Sequence, residues 1–207
     1  SSVPTFTHTA GTVTISKAYA LTATGTYNFI AGDLILNGYN LTTGIFSSTN
    51  SNVRSINFGI NDVILTHTTA TTVVLNMATV TGFTVSGTGG FRAAADVART
   101  YTFGTSGGTY IISPNLTFTG SGTAVQTLTT GSWFNKLDFG TTLFNPGTTT
   151  LNLNALTLSS GGTYTALSPT MVGTGVINTS GKTIATFTVN TPTTLTLGSN
   201  ITCTSYT

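Results

Sequence analysis

The sequence predicts an all-β protein built as a β-solenoid, parallel β-helix-like, with coils of about 20–30 residues. Three observations lead there. Apolar residues alternate with Thr, Ser or Asn at period two, the pattern of strands with one buried face. The strands are short, and the glycine punctuation between them is dense. Strand-and-corner phrases echo along the chain at widely separated positions, as stacked units of one architecture do. A β-sandwich or jelly roll is the alternative. It accounts for the alternation but not for the echoes.

Taken in order, the elements read as follows. Val13 and Ile15 flank Thr14, and Leu34 and Leu36 flank Ile35 ahead of the turn dipeptide Asn37-Gly38. Leu41-Thr42-Thr43-Gly44 reads as a short strand with a corner, and the phrase returns at 128–131. Ser55–Gly59 is echoed much later by Lys136–Gly140. The stretch Phe91–Arg99 reads equally as two helical turns, with Arg92 and Asp96 four apart, or as a strand or loop. Gly107-Gly108-Thr109-Tyr110 returns at 161–164, and each copy is followed by Ser-Pro. Leu116 and Phe118, Leu137 and Phe139, Leu151 and Leu153, and Leu195 and Leu197 repeat the alternation. Gly181-Lys182-Thr183 reads as a tight turn, and Cys203 as a small core residue in the strand Ile201–Thr204.

The last two echoes are offset by three and two multiples of one length, so coils of about 27 residues are expected, with insertions at some corners. Val, Ile, Leu and Phe are expected to point inward. Thr and Asn are expected to form outward ladders held by hydrogen bonds instead of ion pairs. Residues 1–207 read as one all-β repeat domain. The opening Ser-Ser-Val-Pro suggests a processed form or a fragment of a larger protein.

Charge is scarce. Of 207 residues, six are Lys or Arg, four are Asp and none is Glu, while Thr fills about a quarter of the chain. Charged residues make up 5%, against roughly 25% in ordinary soluble domains. Six cations cannot build the basic stripe of a nucleic-acid-binding domain. Aromatic residues at 10% argue against disorder. No apolar run reaches the ~18 residues of a membrane helix, so no membrane insertion is expected. A single cysteine allows neither an internal disulfide nor a Cys-based metal site.

Few residues remain for chemistry, and no catalytic residue, cofactor or metal is expected. Asp33 and Asp62 read as turn residues, and Asp96 and Asp138 are scattered. Stacking can bring Asp62 and Asp138 to one side, which makes them the candidates for a paired-carboxylate site. His8 and His67, both in Thr-His-Thr surroundings, read as outward strand residues. Trp133, read as lying on a turn, and Tyr39, Tyr110 and Tyr164 are the candidates for contact with a glycan or partner. Thr-x-Thr recurs, as at 12–14, 100–102 and 127–129, which suggests an ice-binding face. The uneven spacing of the copies speaks against one continuous array.

The string Asp33-Leu-Ile-Leu-Asn-Gly-Tyr-Asn-Leu-Thr-Thr43 resembles repeats of large secreted bacterial adhesins and structural proteins of tailed bacteriophages. Gly89–Arg99 and Gly131–Gly140 resemble the second group. The resemblance implies a virion-surface, spike or fibre protein that supports assembly and host attachment, located outside a cell or on a virion. It implies self-association or a place in a larger assembly, with cell-surface glycan as a further partner. A bacterial adhesin or filament subunit and an ice-binding protein are the other functions expected.

Overall fold

Period-two alternation with short strands leaves each strand one face to bury, and here the chain buries it by winding. The computed structural model describes residues 4–70, 72–94, 97–104, 114–119, 126–129, 133–139, 149–158, 164, 167–171, 175–189 and 195–207. The first turn comprises β1 (Thr5–His8), β2 (Thr12–Thr14) and β3 (Tyr19–Ala20). The second comprises β4 (Thr26–Phe29), β5 (Gly32–Ile35) and β6 (Leu41–Thr43). The third comprises β7 (Ile45–Ser47), β8 (Arg54–Gly59) and β9 (Val63–Leu65). The fourth comprises β10 (Thr72–Met77), β11 (Phe83–Gly87) and β12 (Gly90–Ala94). Further on lie β13 (Arg99–Phe103), β14 (Asn115–Thr119), β15 (Gln126–Leu128), β16 (Trp133–Asp138) and β17 (Thr149–Thr157). The last are β18 (Leu167–Met171), β19 (Gly175–Asn178), β20 (Thr183–Val189), β21 (Leu195–Leu197) and β22 (Thr202–Tyr206).

Each strand pairs in parallel with its counterpart in the adjoining turn, which gives three faces. The first face stacks β1, β4, β7, β10, β13 and β15. The second stacks β2, β5, β8 and β11. The third runs from β3 through β6, β9, β12, β14 and β16 to β17. There the long β17 holds β18 along one half and β19 along the other. The described strand pairs are all parallel, which the β-solenoid requires and an antiparallel sandwich does not supply.

The turns are not of constant length. Leu153 faces Met171 after a short circuit of the stack, whereas Arg54 faces Phe83 after one more than half as long again. Turn length therefore varies, as insertions at some corners would make it. The echoed phrases also fall on different faces. Leu41–Thr43 lies on the third face, whereas Leu128 ends a strand of the first. Ser55–Gly59 lies on the second, and its echo at Lys136–Asp138 on the third. The echoes record how a strand leads into a corner, not which strand stacks on which.

The core is a set of inward ladders. On the third face Leu41, Val63, Phe91, Leu116, Leu137, Leu156 and Ile177 face one another in sequence, all fully buried. On the first face the ladder is Phe6, Tyr27, Phe46, Leu75, Tyr101 and Leu128. On the second it is Val13, Leu34, Ile56 and Val85. Each buried large side chain contributes roughly 1.5–3 kcal/mol by leaving water. Strand stacking also sets rings face to face. Tyr27 and Phe46 lie 5.4 Å apart with planes 3° from parallel, and Phe118 and Phe139 lie 5.4 Å apart at 14°. Such pairs add about 0.5–1.5 kcal/mol each.

The stretch Phe91–Arg99 is strand at 91–94 and again at Arg99, with Val97 and Ala98 irregular between them. Phe91 and Ala93 are fully buried and Arg92 points outward, which is period two and not 3.6. Asp33 sits in β5 and not in a turn. Cys203 is half-buried in β22, packed against the core beside its end. Gly181-Lys182-Thr183 does follow a tight turn, with Ser180 and Gly181 both at positive φ and the Lys182 N–H donating to the Thr179 carbonyl.

Candidate functional surfaces

Strand phase determines where each polar group points, and several point inward. Arg54 begins β8 in phase with Ile56 and Phe58 and is 1% exposed. Its Nε donates to Ser48 Oγ at 2.5 Å. Nη1 donates to the carbonyls of Asn52 and Thr81 at 2.8 and 3.0 Å, and Nη2 to those of Thr79 and Ser48 at 2.6 and 3.4 Å. The guanidinium lies over the Phe83 ring at 5.3 Å. Burial holds it below the usual arginine range. Arg54 thus ties the loop at 48–52 to the loop at 79–81 of the next turn. Arg99 is similarly buried and donates from Nε to the His67 carbonyl at 2.6 Å.

The histidines do not point outward as expected. His8 is 2% exposed and stacks on Phe29 at 4.9 Å. Its Nε2 lies 3.1 Å from the Gly11 carbonyl and its Nδ1 3.2 Å from Tyr27 Oη. A carbonyl only accepts, so Nε2 carries the proton and Nδ1 accepts from the phenol. Burial, with Tyr19 next, raises the Tyr27 phenol far above its usual value. His67 is 8% exposed, and its Nδ1 accepts the Thr69 N–H at 3.1 Å, so that nitrogen is not free to take a carboxylate.

The carboxylates serve their neighbours. Asp33 accepts from Ser55 Oγ at 2.5 Å. Asp62 pairs with Arg92 Nε at 3.3 Å and accepts the Gly90 N–H at 3.2 Å. Asp138 pairs with Lys136 at 2.7 Å. The outward polar ladders thus use ion pairs as well as neutral hydrogen bonds. Asp62 and Asp138 do share the third face. Asp62 directly precedes β9 and Asp138 ends β16, three strand spacings or roughly 14 Å away across the face, and the row of Asp138 runs through Thr117 and Arg92 to Ile64. A glycosidase pair needs about 5–9.5 Å, so these two do not form one. Asp96 lies outside the described residues.

The candidate contact aromatics divide. Tyr39 is 43% exposed at a corner that Asn37 and Gly38, both at positive φ, turn sharply. Tyr164 is buried in the core, 5.3 Å from Phe139, which removes it from any contact surface. Trp133 starts β16 opposite Asn152 and does not lie on a turn. Tyr110 lies outside the described residues. Sequence reasoning missed the buried arginines, although their phase with Ile56 and Tyr101 was visible.

Two further features are surfaces. At one end of the stack, Phe6, Val13, Ile15, Tyr19 and Tyr27 line an open hollow of about 190 Å³. At the other, Phe187, Val189, Leu195, Leu197, Ile201 and Tyr206 line one of about 480 Å³. The outside of the first face carries two columns. One is Thr5, Thr26, Ile45, Val73, Thr100 and Thr127, stepping across a bulge between Val73 and Leu75. The other is Thr7, Asn28, Ser47, Asn76, Thr102 and Thr129, of which Thr102 is buried. None of these side chains is ionisable or aromatic.

No family model, no curated protein and no solved structure matches the chain.

Proposed function

We propose that the chain is a non-enzymatic structural and adhesive part of an extracellular fibre or a virion surface, of the kind seen in tailed-phage fibres and spikes or in bacterial adhesins. The carrying observation is the pair of apolar hollows at the two ends of the stack. Along the sides, the described Asp33, Asp62 and Asp138 are engaged by neighbouring groups, and Arg54 binds one turn to the next. At the ends, apolar residues are left to solvent: Leu197 is 60% exposed and Tyr206 67%. A rod of this form gains by meeting another subunit end-on, and its net charge of +2 opposes that contact little. Tyr39 is the candidate through which the rod's side would touch a cell-surface glycan.

The test is immunogold electron microscopy of the source material, with antibody raised against the purified chain. Label along fibres or on particle surfaces supports the proposal. Label confined to free, unassembled protein overturns it, as does release of reducing ends from host polysaccharide by the purified chain.

A further inference from the structure

We propose that the outer side of the first face is an ice-binding surface. The inference does not rest on the fibre reading. Its basis is how the fold places residues that the sequence spaces unevenly. The interval from Thr26 to Ile45 is shorter than that from Thr5 to Thr26, and the one from Thr100 to Thr127 is longer than both. Yet in each case the second residue stacks on the first. The differing lengths are taken up away from this face, so the column from Thr7 to Thr129 stays in register along it, while the other is offset at the β10 bulge, between Ile45 and Val73.

Parallel strands set the repeat down each column at about 4.8 Å, and two residues of rise separate the columns by about 6.7 Å. Both are near the spacings of oxygens on a prism face of hexagonal ice. The side chains suit that lattice. Thr5, Thr7, Thr26, Thr100 and Thr127 each offer a hydroxyl that can stand in for a lattice water and a methyl group that can fill a lattice hollow. Thr129 is held by its bond to the buried Thr102 at 2.6 Å, which fixes its rotamer. Behind the columns, the stacked Phe6, Tyr27 and Phe46 rings make a stiff backing.

The other faces lack one of these properties. Asp33 stands on the second face, and Arg92, Lys136 and Asp138 on the third. A charge orders water around itself in a geometry that ice does not share. The first face also argues against other occupants. Among the described residues it has no outward aromatic ring on which a sugar could stack, and Ile45 and Val73 are too few for a second sheet to pack on.

The experiment measures thermal hysteresis and inhibition of ice recrystallisation by the purified chain. Thr100→Lys and Thr127→Lys are compared with Thr84→Lys, which puts the same charge on the exposed outside of the second face. Circular dichroism checks that each variant is folded. The expected result is hysteresis in the wild type, loss of it in the two first-face variants, and retention in Thr84→Lys. Absence of hysteresis and of recrystallisation inhibition at the highest soluble concentration overturns the proposal. So does equal activity in all variants, or equal loss in Thr84→Lys. A folded protein that labels fibres in microscopy but leaves ice growth unchanged would overturn this inference alone.

Discussion

Arg54 carries a guanidinium into the core and binds four carbonyls and a hydroxyl there. Removing it leaves buried carbonyls without donors. Arg54→Met is therefore expected to lower stability by about 3 kcal/mol, read from urea unfolding. Arg54→Lys should not restore it, because one ammonium cannot reach Ser48, Thr79 and Thr81 from a single position. Full recovery by lysine would mean that charge alone is what the site needs. Tyr27 makes a prediction about pH. Its buried phenol keeps its proton in the fold, whereas the unfolded chain releases it from about pH 10. The unfolded state then binds fewer protons, so stability falls as pH rises past that point. Tyr27→Phe should lose less stability between about pH 10 and 12 than the wild type does. At neutral pH it should be weaker by about 1 kcal/mol, because His8 Nδ1 loses its donor. Parallel alkaline slopes would show that Tyr27 is not the titrating group.

Elements meet at corners, and the corners limit how closely turns can stack. Gly89 lies between β11 and β12, where a Cβ would overlap the Asn61 carbonyl of the turn below. Gly89→Ala is expected to cost about 1–3 kcal/mol by forcing the two corners apart, measured by the thermal midpoint. The ion pair beside it should matter less. Arg92 and Asp62 are both partly exposed, so Arg92→Gln should shift stability by less than about 1 kcal/mol. A larger effect at Arg92 than at Gly89 would place the strength of this corner in charge and not in close approach. The corner glycines and the alternation were legible in the sequence. The partner of each strand was not, because local phrases such as Leu-Thr-Thr-Gly recur on different faces.

The whole molecule is a stack in which each turn touches mainly its neighbours, so stability should vary along it. Turns in the middle are held from both sides. At the ends, β2 is largely exposed, as are β21 and β22. Amide hydrogen exchange should be slowest in β8 to β12 and fastest in β2, β21 and β22. Uniform protection along the chain would show a single cooperative unit instead. Much of the architecture at this scale was readable from composition and pattern. The candidate surfaces were readable only in part. Tyr39 is exposed, while His8, His67 and Tyr164 are buried. A residue's phase within its strand decides such cases, and phase depends on where the strand begins.

The sequence by itself determined the fold class. A chain with 5% charged residues, period-two alternation and glycine corners can bury its apolar side chains well by winding short parallel strands. What only the tertiary structure decided is which residues share a surface. Turns of unequal length cannot be aligned by counting, yet strand pairing sets Thr5 beside Thr26 and Thr100 beside Thr127 on one face. It also leaves Asp62 and Asp138 on one face but three strands apart. The physical reason is that backbone hydrogen bonds and inward packing fix the register on each face, while the corners absorb whatever length remains.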